Sequence, residues 1–177
     1  MSSLQPLPEI AHHEKLPPGA QEIARIQMQN PKNLYVFIKY GDKLIIHDSR
    51  DAIIRGKPDY ICGQIALPMG FLSWFPRALE GFLKPPSEGG LAPGTMSSAG
   101  EDVDGEMLGI IREMGDRAWP QKGPPPGYAV VNYSRDDPFY KTMNCPMEIS
   151  FPESYLYNEG LLDFIKHLGD QYKAGLL

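Results

Sequence analysis

Apolar residues recur along this chain at two spacings, and the two spacings predict its elements. In "NLYVFIKYGDKLIIHD" two β-rich runs flank Gly41-Asp42, a pair suited to a two-residue type II′ turn because glycine accepts the positive φ it requires. That turn sets Ile38 opposite Ile45 and Val36 opposite His47 on one side of the ribbon. Phe37 then faces Ile46, and Tyr35 faces Asp48, on the other. Both sides are largely apolar, so the hairpin over 34–48 is expected to be covered on both faces. "DYICGQIAL" reads as a third strand. Tyr128 to Tyr133 and "PMEISF" read as two more.

Helical spacing predicts four further elements. Ala20, Ile23, Ala24 and Met28 mark a helix over 19–30, opened by Pro17-Pro18 and stopped by Pro31. In "GFLSWFPRALEGFL" a helix over 74–84 is expected, with Phe75, Ala78, Leu79 and Phe82 as its stripe. Ser73 would cap it and Pro76 would sit in its first turn, where a missing N–H costs little. Val103, Met107, Ile110, Ile111, Met114 and Ala118 predict a helix over 103–118, with four acids gathered at its start. The last, over 158–174, carries Leu161, Leu162, Phe164, Ile165, Leu168 and Tyr172 behind Asn158 as cap.

Strands and helices mix without a regular βαβ period and without a visible repeat. The expected class is therefore α+β: one compact domain, mainly antiparallel sheet, with about four helices. A proline-rich arm (residues 1–18) precedes that domain (19–177). "PPSEGGLAPGTMSSAGEDVDG" interrupts it, and residues 85–102 read as a flexible loop because glycine, proline and serine cannot offset the entropy of ordering.

Composition narrows the function. A hydrophobic content of 42% and a charged content of 22% are those of an ordinary globular chain. The net charge of −5 argues against a phosphate-tracking surface, so neither nucleic acid nor an anionic membrane is the expected partner. The "GFLSWFPRALEGFL" helix is about three turns long, too short to span a bilayer. "MSSLQPLPEIAHHEK" lacks the basic-then-apolar layout of a secretory signal. Cys62 and Cys145 are then expected as reduced thiols in a cytoplasmic protein.

Candidate chemistry is sparse. His12, His13, His47, His167 and the two cysteines show no ligand-pair spacing for zinc. With Gly105 as the sixth residue of a calcium loop, positions one and twelve would be Gly100 and Ile111, neither acidic. There is no GxSxG, P-loop or dinucleotide fingerprint, and no cofactor is expected. The one catalytic assembly on offer is Cys62 with His47, a thiol–imidazole pair for a hydrolase or transferase.

The leading expectation is instead a non-enzymatic protein-binding module. By class analogy it would be an immunity-type protein that neutralises a toxin partner, with a secretion chaperone as its sibling. Glu101, Asp102, Asp104 and Glu106 are the expected docking residues for a partner with a basic surface.

Overall fold

The computed structural model describes residues 4, 6–116, 123–140 and 144–177. Its chain follows one plan twice: a four-stranded antiparallel meander, then a helix. The first sheet is built from β1 (Ala20–Gln29), β2 (Lys32–Tyr40), β3 (Lys43–Ile54) and β4 (Lys57–Pro68), in that spatial order. Helix α1 (Phe71–Leu83) follows it. The second sheet is β5 (Glu101–Val103), β6 (Glu106–Glu113), β7 (Gly127–Asp136) and β8 (Pro146–Pro152), again in chain order, followed by α2 (Leu161–Lys173).

The hairpin forms in the expected register: Ile38 opposes Ile45, Val36 opposes His47, Phe37 opposes Ile46 and Tyr35 opposes Asp48. Gly41 takes a φ of +61° in the turn, which a side chain would resist. Both faces are buried, each by a different partner. Tyr35, Phe37, Leu44 and Ile46 join a core shared by both sheets and both helices. Val36, Ile38 and Ile45 lie on the other face, under the N-terminal arm.

Two expected helices are strands. Residues 19–30 contain β1, because Ala24 and Met28 share a face in either conformation and Ile26 completes an alternating set. Pairing with the edge of β2 decides between them, and Pro31 lies in the tight turn that joins the two strands. The helix expected over 103–118 is the β5–β6 hairpin. Asp104 and Gly105 have φ of 49° and 85°, the left-handed pair of a type I′ turn. An Asp-Gly pair is a hairpin signal, and the interrupted apolar stripe around it masks this. Ala118, the last residue of that stripe, lies outside the described residues.

Among the described residues the helices are thus α1, α2, a five-residue π-helical turn (Ser154–Asn158) and a three-residue 3-10 turn (Pro86–Glu88). The two α-helices differ from expectation mainly in where they start, and each ends one residue earlier. α1 begins at Phe71, so Gly70 rather than Ser73 occupies the cap position and Pro76 lies inside the helix. α2 begins after Gly160 rather than after Asn158. Phe75 and Leu79 are fully buried and Phe82 packs partly buried at the margin, so the opening helix is a wall of the core. The two helices pack against each other through Gly169, where a Cβ would lie 2.7 Å from the Leu72 carbonyl oxygen.

The segment over 85–102 leaves α1 through the 3-10 turn, bonds back to it at Leu91 N–H to Gly81 O (2.7 Å), and from Met96 on runs along the edge of β6. Ser98 N–H donates to Ile110 O (2.8 Å), Arg112 N–H to Met96 O (2.7 Å), and β5 begins at Glu101.

Candidate functional site

The four acids proposed for docking sit on the β5–β6 hairpin and are put to different uses. Glu101 pairs with Arg77 of α1 (2.8 Å). Asp102 accepts the Gly105 N–H (3.1 Å) within its own turn. Asp104 reaches across to accept the Gly70 N–H (2.9 Å) at the start of α1, where a negative charge suits the helix dipole. Glu106 points inward with Leu108 and Ile110, as alternation along β6 requires, and is 1% exposed. There it accepts two bonds from Arg135 (2.7 and 2.8 Å) and one from Asn132 (2.7 Å), with Lys43 Nζ 3.2 Å away. Asn132 also donates to Ala66 O of β4 (2.8 Å), so this cluster ties the two sheets together. Burial pushes the Glu106 pKa up, but the hydrogen bonds from Arg135, Asn132 and Lys43 and the charge of Arg135 outweigh it, and the carboxyl ends below its usual range.

The larger assembly lies on the outer face of the first sheet. Along β4, Tyr60, Cys62 and Gln64 point the same way, at the period of two that a strand imposes. Opposite them on β3 stand Asp51, Ser49 and His47. The N-terminal arm crosses this face. Gln64 clasps its main chain from both ends of one amide, with Oε1 accepting the Ile10 N–H (2.8 Å) and Nε2 donating to Pro8 O (3.0 Å). Ile10 sinks among Val36, Ile38 and Ile45, leaving 2% of itself exposed. Cys62 Sγ meets Ala11 O at 3.6 Å.

Beyond Ala11 the arm ends in stacked rings. His12 lies 4.6 Å from His13 and 4.4 Å from Tyr60, centroid to centroid. The Tyr60 hydroxyl joins two imidazoles: His13 Nδ1 at 2.9 Å and His47 Nε2 at 3.2 Å. Buried His47 Nδ1 has no hydrogen-bond partner. A buried N–H without an acceptor is costly, so the pattern assigns the His47 proton to Nε2. His47 then donates to Tyr60, and Tyr60 donates to His13 Nδ1.

Protonating His13 would set a third donor against the Tyr60 hydroxyl, which already accepts from His47 Nε2 and the His13 N–H (3.4 Å), and break this chain. Both imidazoles are correspondingly hard to protonate. The His13 pKa is lowered by burial, then by His12 and Arg25, against opposing pulls from Glu14 and Glu22. His47 is lowered to about 4, by burial first and then by His13 and His12. Because both values are depressed with the arm docked, docking is at full strength above the ordinary histidine value of 6.5 and weakens as pH falls below it. Amide exchange protection at Ile10 and His13, corrected for intrinsic rates, is expected to drop between about pH 7 and pH 5. Protection that stays flat across that range would show that the imidazoles do not hold the arm.

Past the rings the face opens into a cleft of about 780 Å³. Arg25 of β1, Lys32 of β2 and Arg50 of β3 bring positive charge to it, and Glu14 and Asp51 bring negative. Arg25 is held by Glu22 through two bonds. Among the described residues, no group of three or more His, Cys, Asp or Glu side chains is arranged to hold a metal ion.

The thiol–imidazole pair is not joined by a hydrogen bond here. Cys62 lies across from Ser49, its Sγ is turned to the arm, and His47 Nε2 is taken by Tyr60. Burial, followed by the nearby Asp48 and Glu9 charges, pushes the thiol up, away from a reactive thiolate. Tyr60 and Gln64 were the residues to find. Their signal was the i, i+2, i+4 series Tyr60, Cys62, Gln64, a polar side to a strand whose other side is apolar.

The class these observations define is an α+β protein of two successive four-stranded meanders, each followed by a helix, with a polar cleft on one sheet face. No protein-family model matches the chain, and no curated protein matches it.

Proposed function

We propose that this protein is a binding module for another polypeptide and that the cleft at the end of the first sheet is its docking site. One observation carries the reading: a half-open cleft brings together side chains of both charges, contributed by β1, β2, β3 and the arm, beside the stacked rings of His12 and Tyr60. Spaced charges of both signs beside an aromatic platform suit a polar polypeptide segment, held by ion pairs at its side chains and by stacking. Neutralising a toxin is one use to which such a site lends itself, by occupying the surface the toxin needs.

The reading differs from the acidic hairpin in which side chains it makes important, and affinity capture from the native host separates the two. Arg50→Glu and Tyr60→Ala are expected to lose the partner that the unaltered protein retains, while Glu101→Gln with Asp102→Asn keeps it. The opposite pattern would return the docking site to the hairpin and sink the cleft.

A further inference from the structure

The outer face of the first sheet holds a length of its own chain, from Pro8 to Ile10, through main-chain bonds and one apolar socket. Gln64 binds only the arm's main chain, at Pro8 O and Ile10 N–H. Among the described arm residues the one fully buried side chain is Ile10. Leu7 and Leu16 are partly buried beside it, whereas Glu9, Ala11, Glu14 and Lys15 are exposed. The arm between Pro6 and Leu16 joins no strand of the sheet beneath it. Main-chain bonds beside a side-chain pocket are the division of labour by which peptide grooves hold their ligands.

We infer that the N-terminal arm is a displaceable resident of a peptide groove. The groove takes, from a partner, an extended segment with a branched aliphatic residue in the Ile10 socket and a free main-chain carbonyl two residues before it. The inference rests on the binding-module reading and names the segment that module would receive. Three features make exchange the natural route. Val36, Ile38 and Ile45 are fully buried under the arm, so an empty socket is disfavoured in water and an incoming segment regains the burial the arm gives up. Gln64 accepts any residue with an N–H at the Ile10 position, so it does not discriminate against a foreign chain. The arm is held chiefly by one deeply buried side chain, two main-chain bonds to Gln64 and the Tyr60 contacts of His12 and His13, so a segment that supplies the first two can compete for the socket. While the arm is docked, it lowers the partner's apparent affinity in proportion to the fraction of time the groove is free.

The test uses full-length protein and a fluorescently labelled synthetic peptide with the sequence of residues 4–16, read by anisotropy. Ile10→Asp withdraws the arm from its own socket. This variant is expected to bind the peptide at least about tenfold more tightly than the unaltered protein does, because the resident competitor is gone. The same peptide with its isoleucine replaced by aspartate is expected not to bind. Adding Gln64→Ala to the Ile10→Asp protein is expected to weaken binding about tenfold, the loss of two main-chain bonds. Circular dichroism and a thermal melt establish that the variant is folded. If Ile10→Asp does not fold, Ile10→Ala is compared in its place, with the same direction expected. A folded variant that binds the peptide no better than the unaltered protein overturns the inference. So does equal binding of the aspartate peptide. Neither result touches the cleft, whose reading stands or falls on capture of the native partner by Arg50→Glu and Tyr60→Ala.

Discussion

Arg135→Met is expected to lower folding stability by about 3 kcal/mol at neutral pH, at the lower edge of what removing one member of a buried ion pair costs. Glu106 is enclosed at 1% exposure, and its charge is balanced mainly by the two bonds from Arg135. Without them the carboxylate keeps Asn132 and Lys43, which is why the loss falls at the lower edge and not above it. The pH dependence identifies the cause. In the unaltered protein the depressed Glu106 pKa contributes stability that is present above the ordinary carboxylate range and is lost as pH falls through the lowered value. In the variant, burial is opposed by fewer partners and the pKa moves up, so the carboxyl takes a proton instead of remaining an exposed cost. The difference between the two proteins in urea titrations therefore narrows toward acid pH. A gap of constant size from about pH 7 to pH 4 would mean that Arg135 acts through packing alone.

Phe75→Ala is expected to cost about 3–5 kcal/mol, the range for emptying an aromatic site that cannot collapse. Phe75 is fully buried, with ring centroids 5.3 Å from Phe71 on its own helix and 5.4 Å from Phe151 of β8. It thus joins α1 to the second sheet. Phe82, seven residues on, touches Tyr128 edge to face (5.5 Å) but is only partly buried. Phe82→Ala is accordingly expected to cost less than Phe75→Ala in the same urea titration. Equal losses would show that the margin of α1 is as tightly packed as its centre.

Features that rest on neighbours in the chain are legible before any fold is known. The register of the hairpin over 34–48 follows from a two-residue turn and a period of two, both local, and the structure has that register residue for residue. The bodies of α1 and α2 are legible for the same reason, since each repeats its apolar stripe over more than three turns. Where the stripe is thin, local pattern does not choose. Ala24 and Met28 fit a helix and a strand equally, and only the open edge of β2 makes residues 20–29 a strand.

The tertiary structure alone decided everything that joins distant residues. Glu106 reads in sequence as one more surface acid near a chain turn. It becomes a buried anion because alternation along β6 turns it inward, toward Arg135, 29 residues away, and toward Lys43 of the other sheet. Gln64 meets Ile10 across 54 residues, and Tyr60 meets His13 across 47. Those contacts exist because the arm folds back over one face of the first sheet, a choice driven by the need to cover Val36, Ile38 and Ile45. The apolar pattern announced that the face would be covered. It carried no sign of what would cover it, because burial rewards any apolar surface that fits and is blind to where in the chain that surface comes from.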